Sequence, residues 1–236
     1  IRPLFYARQN GKFIFASEMK AIMQVPYFRR QINTNAIDQI FTFWTTLPGT
    51  TPFKSIRSLG PGQYMKLSEN GCDIKTWWQP PFVKPSEQGS HALPEIIEQT
   101  DALISDAVRI RMKADVPVGS YLSGGLDSST TTFKILETGK DNLQTFGISF
   151  SDKKYDEARY QSLLSGMLGT SHHDLTITDE DIAQNILLSV YYTEMPLLRT
   201  SPVPLLLLSD QVKQQHMKVV LTGEGADEIF GGYNIF

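Results

Sequence analysis

Val116-Pro117-Val118-Gly119-Ser120-Tyr121-Leu122-Ser123-Gly124-Gly125-Leu126-Asp127-Ser128-Ser129 is the stretch on which the fold assignment turns. Val116 to Leu122 reads as a short apolar strand, and Ser128 to Leu136 as a helix that begins almost at once. Two glycines between them let the backbone approach an anion closely. The hydroxyls of Ser123, Ser128 and Ser129 can donate to it, and the open N–H groups of a helix start carry partial positive charge. Asp127 would repel a phosphate directly but suits a Mg²⁺ ion that bridges phosphate oxygens. The stretch lacks the lysine of a Walker loop and the third glycine of a dinucleotide fingerprint. An ordinary strand-to-helix turn, with Asp127 and Ser128 capping the helix, would use the same residues.

On either side of this turn the pattern alternates between strand and helix. Pro94 to Lys113 is an expected amphipathic helix with apolar positions 96, 97, 103, 104, 107, 108 and 110. Gln144 to Phe150 reads as a strand, and Tyr155 to Leu168 as a helix with an apolar face at 163, 164, 167 and 168. A strand from His173 to Ile177, a helix from about Asp179, a helix over Pro202 to Gln215 and a strand over Met217 to Leu221 follow. Alternation of this kind implies right-handed crossovers and a parallel sheet, with ligands beyond the carboxyl ends of its strands.

Residues 1 to 78 are expected to be mostly β. Asn10-Gly11 and Asn70-Gly71 are hairpin signals because both residue types tolerate positive φ. Short helices are expected from Ser17 to Val25 and from Thr34 to Phe43. Residues 79–93 are rich in proline, serine and glycine and form an expected linker, with the second domain over 94–236.

Hydrophobic residues make up 41% of the 236, and charged residues 20%, ordinary values for a globular chain with a sizeable core. The net charge of −3 has no long basic block behind it, which argues against nucleic acid as the main partner. Cys72 is the only cysteine, so neither an intrachain disulfide nor a thiolate metal cluster is available, and a cytoplasmic setting is expected. The apolar run Val203 to Leu208 is too short to span a bilayer, and neither a membrane nor a signal peptide is expected. Both ends read as cut, so an internal fragment of a longer protein is expected.

A second acidic, glycine-bearing stretch follows the last strand: Thr222-Gly223-Glu224-Gly225-Ala226-Asp227-Glu228-Ile229-Phe230-Gly231-Gly232-Tyr233. Three acids this close would repel one another, and cation binding is a sensible reason for them. Ser123-Gly124-Gly125-Leu126-Asp127-Ser128-Ser129 resembles the pyrophosphate loop of the N-type ATP pyrophosphatases. The second stretch resembles a segment of the glutamine-dependent asparagine synthetases within that group. Ile1-Arg2-Pro3-Leu4-Phe5-Tyr6, Ala16-Ser17-Glu18-Met19-Lys20-Ala21 and Pro61-Gly62 resemble the closing part of that family's glutaminase domain. The fold this implies is α/β: a parallel-sheet ATP-pyrophosphatase (adenine nucleotide α-hydrolase-like) domain, preceded by a mostly β remnant of an N-terminal-nucleophile glutaminase domain over 1–78.

The resemblance implies adenylation of aspartate by ATP, then amidation by glutamine-derived ammonia. It implies that Ser123, Gly124, Gly125, Ser128 and Ser129 hold the pyrophosphate end of ATP, and that Asp127 and Asp227 bind Mg²⁺. Tyr121, Leu122, Ile148, Thr222 and Gly223 match positions that line the nucleotide, with Tyr121 standing where an aliphatic is usual. Glu224 matches a catalytic acid, a general base toward ammonia. Arg199 matches a substrate-binding segment, and a guanidinium suits a carboxylate or phosphate. His172 and His173 point to opposite faces of a strand and are expected to hold no metal. The family's N-terminal nucleophilic cysteine has no counterpart at Ile1, so glutamine hydrolysis by this piece is not expected, and the piece alone is expected to be inactive. The implied partners are small molecules (ATP, aspartate, and glutamine or ammonia), with a homodimer left open. The competing readings are a related amidotransferase or β-lactam-forming synthetase that uses another acid, and a non-catalytic interaction fragment.

Overall fold

The computed structural model describes residues 3–69, 71–84, 89, 92–152 and 156–233. The expected linker positions Pro85, Ser86 and Ser90, the turn residue Asn70 and the expected helix start Tyr155 lie outside the described residues. The chain divides into two compact units, one of residues 1–88 with 187–199, the other of residues 89–186 with 200–236. By pattern, 187–199 follows the second domain; by packing, it belongs with the first unit.

In the first unit, β1 (Phe5–Gln9) and β2 (Lys12–Ala16) form an antiparallel hairpin in which Gln9 faces Lys12. Asn10 (φ 51°) and Gly11 (φ 72°) take the left-handed turn expected of that pair. Helix α1 (Met19–Ile22) is shorter than the pattern suggests, and α2 (Thr34–Phe43) starts where Asn33 Oδ1 accepts the Ala36 N–H. Strand β3 (Arg57–Ser58) pairs with β1, and β4 (Gln63–Ser68) pairs with β5 (Gly71–Thr76) in a second hairpin. Ala7, Met19, Ile22, Phe28 and Ile56 make the core of this unit. Cys72, on β5, is exposed.

The second unit is built on four parallel strands: β6 (Val118–Tyr121), β7 (Gln144–Phe150), β8 (Ser171–Ile177) and β9 (Val219–Leu221). Helix α3 (Leu93–Arg111) precedes β6, and α4 (Leu126–Glu137) follows it. Helix α5 (Ala158–Leu168) joins β7 to β8, while α6 (Asp179–Thr193) and α7 (Pro202–Gln214) lie between β8 and β9. The short α8 (Ala226–Phe230) follows β9. The spatial order is β8-β7-β6-β9, so the chain first builds the sheet to one side of β6 and then returns to its other side. Alternate residues of β6 face opposite ways. Val118 joins Val108 of α3 and Ile135 of α4 in one core cluster, together with Leu143 and Leu221. Tyr121 packs against the other cluster, where Phe146 meets Leu208 and Val212 of α7. Helices therefore cover both faces, as a parallel sheet requires.

The expected apolar faces of two helices are corrected by the structure. On α3, Val108 is buried, while Ile96, Ile97, Leu103 and Ile110 are exposed. On α5, Leu163 and Met167 are exposed and the buried residues are Gln161 and Ser165. The reason is local: Gly147 on β7 leaves a space that the Gln161 side chain fills, with Nε2 donating to the Ile148 carbonyl at 2.8 Å. Ser165 Oγ donates to the Thr170 carbonyl at 3.2 Å. Hydrogen bonding to the loop and sheet outweighs apolar periodicity on this helix.

A methyl group on Gly147 would stand 2.0 Å from Gln161 Oε1 and 2.8 Å from the Leu122 carbonyl, whereas one on Gly166 meets nothing within 4 Å. In urea unfolding of the protein, Gly147→Ala is expected to cost about 1–3 kcal/mol through overpacking. Gly166→Ala, inside α5, is expected to add about 0.5–1 kcal/mol by stiffening the unfolded chain.

Candidate functional site

The loop after β6 is held by its own hydroxyls. Ser128 Oγ accepts the Ser123 N–H at 3.1 Å, donates to the Gly125 carbonyl at 3.2 Å, and lies 2.9 Å from Ser123 Oγ. Ser129 Oγ donates to the Gly125 carbonyl at 2.6 Å. Helix α4 starts at Leu126 with Gly125 as its N-cap and without a side-chain cap, so the alternative reading, a turn with Asp127 and Ser128 capping the helix, does not describe it. Asp127 sits in the first helical turn. Gly124 has φ +88°, and a side chain there would meet Tyr160 Cβ at 2.7 Å, so glycine is required on both counts.

The loop after β9 runs against it. A Cβ on Gly223 would stand 2.8 Å from Asp127 Cβ and 3.0 Å from the Ser128 nitrogen, so the two turns touch through bare backbone. Gly225 (φ 97°) turns the chain into α8, and Gly232 leaves room for the Asp227 carboxylate. The Tyr233 hydroxyl donates to Glu228 Oε1 at 2.6 Å. That hydrogen bond, with burial and the nearby acids adding to it, raises the Tyr233 phenol to about 12 and pulls the Glu228 carboxyl below its ordinary value.

Between the loops lies a cavity of about 340 Å³. Of the residues expected at the site, Tyr121, Leu122, Ser123, Asp127, Ser128, Ile148, Thr222, Gly223, Glu224 and Asp227 line it. Gly124, Gly125 and Ser129 belong to the same turn and are not among the lining residues. Arg199 packs in the first unit, its guanidinium carbon over the Trp44 ring at 3.8 Å from the ring centre. Neither histidine lines the cavity: His172 Nδ1 pairs with Thr145 Oγ1 at 3.0 Å, and His173 stacks on Phe146. Burial holds the His172 imidazole below its ordinary value, with Asp174 pulling the other way.

Lining residues that escaped the reading of the sequence include Glu157 and Gln161 around the start of α5, and Leu205 and Leu208 on α7. The first pair was findable, since the connection after β7 also leaves the carboxyl edge of the sheet. Leu205 and Leu208 are one turn apart in an all-apolar run whose inward face no pattern distinguishes.

Glu157 brings the carboxylates lining the cavity to five, with Asp127, Glu224, Asp227 and Glu228. Among the described residues, no three His, Cys, Asp or Glu side chains are grouped as a complete metal site. The donor chemistry nevertheless fits Mg²⁺, a hard ion that takes one or two carboxylates and completes its octahedron with water and phosphate oxygens.

Fold and site together define a parallel α/β domain with an acidic, glycine-walled pocket where the strand order reverses. The sequence profile of the asparagine synthase family matches residues 99–236, and that of the glutamine amidotransferase domain matches residues 1–78. The chain belongs to the asparagine synthase family. It is 30% identical to asparagine synthetase [glutamine-hydrolyzing] 3 of Bacillus subtilis, over 100% of this chain and 40% of that protein. It is 32% identical to asparagine synthetase [glutamine-hydrolyzing] 1 of the same organism, over 100% of this chain and 36% of that one. The chain thus spans about two-fifths of the length of these curated relatives. Among solved structures, an NMN synthetase from Francisella tularensis superposes on 61% of this chain and 59% of its own, with TM-score 0.41 and 19% identity. No helix among the described residues is long and apolar enough to cross a membrane.

The Tyr233–Glu228 pair yields a direct check. In a pH titration followed by NMR of ¹³C-labelled tyrosine, one phenol is expected to titrate near 12. Glu228→Gln removes the acceptor charge and should return that phenol toward about 10.

Proposed function

We propose that this chain carries the ATP-binding half of an AMP-forming ligase that activates the side-chain carboxylate of aspartate and amidates it with ammonia from glutamine. The observation that carries this reading is the meeting of two glycine loops, from adjacent parallel strands, around a cavity lined by five carboxylates. Such a site repels a bare triphosphate and favours one that arrives with a divalent cation.

In this reading the backbone of Ser123, Gly124 and Gly125 and the start of α4 hold the pyrophosphate end of ATP. Tyr121, Leu122, Phe146, Ile148, Leu205 and Leu208 supply the apolar wall suited to a purine. Asp127 and Asp227 would hold Mg²⁺, which would supply neutralisation of the charge on the departing pyrophosphate. An oxygen of the aspartate carboxylate attacks the α-phosphorus, and the bond from that phosphorus to the bridging oxygen breaks, giving acyl-AMP and pyrophosphate. The ammonia nitrogen then forms a bond to the acyl carbon, the bond from that carbon to the AMP oxygen breaks, and Glu224 accepts the proton the nitrogen sheds. Arg199 is proposed to meet a substrate anion, which requires its guanidinium to leave the Trp44 ring. Residues 1–78 are assigned to the glutamine amidotransferase part, residues 94–236 to the synthetase part.

The test is release of AMP and pyrophosphate by the full-length protein given ATP, Mg²⁺, ammonia and a panel of carboxylic acids. Aspartate-dependent AMP release with asparagine as product is expected. Asp127→Asn should lower it by about 100-fold or more, the scale of losing a charge-stabilising group in a transition state. AMP release with another acid and not aspartate would overturn the substrate, and silence with every acid would overturn the reading.

A further inference from the structure

The acidic cavity is lined by a buried amide whose hydrogen bonding is half complete. Gln161, on α5, is 1% exposed and is one of the lining residues. Its Nε2 donates to the Ile148 carbonyl at 2.8 Å. A carbonyl only accepts, so this bond fixes which end of the amide faces Ile148 and which end faces away. The end that faces away, Oε1, is buried and has no hydrogen-bond partner among the described residues. It lies over the bare backbone of Gly147, in the space a side chain there would take, and Gly147 also lines the cavity. Gln161, Gly147 and Ile148 all belong to the second unit.

A buried acceptor without a donor costs free energy, and folded proteins hold few of them. Packing alone does not call for one here. An apolar side chain of similar size would fill the same space beside Gly147 and would leave the Ile148 carbonyl without the Gln161 donor. Glutamine therefore moves an acceptor: it covers one on the strand and sets another at the length of an amide away from it.

The surroundings say which donor suits that acceptor. Tyr121, Phe146, Ile148, Leu205 and Leu208 give the cavity an apolar side. Within it the Tyr121 hydroxyl already has a partner, Ser209 Oγ at 3.3 Å. A flat apolar heterocycle with an exocyclic amino group meets both demands, its ring on the wall and its N–H on Oε1. Adenine is such a ring. Hypoxanthine and guanine carry a carbonyl oxygen at the same ring position, which would set acceptor against acceptor.

We propose that Gln161 is a specificity-determining residue of the nucleotide site. Its Oε1 accepts a hydrogen bond from the exocyclic amino group of adenine, and so selects ATP over triphosphates whose purine carries a carbonyl oxygen there. This rests on the reading given under Proposed function, from which it takes the nucleotide and not the carboxylic acid. Gln161 touches the base alone and takes no part in bond making.

The test is binding to the full-length protein, by isothermal titration calorimetry in the presence of Mg²⁺. The nucleotides are ATP, purine riboside triphosphate and inosine triphosphate, which carry an amino group, a hydrogen and a carbonyl oxygen at the position in question. Affinity is expected to fall in that order, with ATP about tenfold or more tighter than inosine triphosphate. Gln161→Met keeps the length of the side chain and removes the amide. In it the ratio of ATP to inosine triphosphate affinity is expected to shrink severalfold, and an unchanged ratio in a folded variant overturns the proposal. The parent protein decides without any variant: if it binds all three alike, Gln161 does not read the base, while the nucleotide reading stands. A parent that binds none of them overturns the nucleotide reading, and the role of Gln161 falls with it.

Discussion

A methyl group added to Gly223 would lie within 2.9 Å of both Asp127 Cβ and the Asp127 carbonyl carbon, closer than non-bonded carbons come. The arrangement of the site depends on that proximity. β6 and β9 are paired in parallel, so the loops that leave their carboxyl ends emerge side by side, about 5 Å apart at their roots. A side chain on either facing surface would push the turns apart and carry the Asp127 and Asp227 carboxylates with them. Bare backbone at Gly223 lets the two turns form a single wall.

That wall is electrostatically costly. Five carboxylates share the cavity, and like charges repel one another. Part of the cost is met locally, since the Tyr233 hydroxyl donates to Glu228 and stabilises its charged form. The serine network of Ser123, Ser128 and Ser129 is spent on the loop itself, and it also takes up the Ser123 and Gly125 N–H groups.

Much of this could be read before any coordinates. The strand at Gln144–Phe150 appears over the same residues in the structure, and the Asn10-Gly11 hairpin, α2 and the two acidic loops stand where composition and periodicity put them. The misreadings share a cause. On α5 the buried residues are the polar pair Gln161 and Ser165, because a glycine on the neighbouring strand and a nearby carbonyl compete for that face. On α3 four residues counted toward an inward apolar stripe are exposed, and only Val108 is buried. Periodicity reports which residues lie on one side of a helix; it is silent on whether a partner exists there.

The amino-acid sequence alone determined that two strands end in glycine-bearing acidic turns and that strands and helices alternate, since both are properties of neighbouring residues. It could not determine that these strands, about a hundred residues apart in the chain, are neighbours in the sheet. Tertiary structure decided that by placing β9 beside β6 and opposite β7, so that the strand order reverses between the two loops and opens the crevice they share. Tertiary structure also decided where residues 187–199 belong, through two peptide N–H groups and a buried carboxylate 175 positions away in the chain. Hydrogen bonds over such separations form only once the chain has folded back on itself, and no local pattern encodes them.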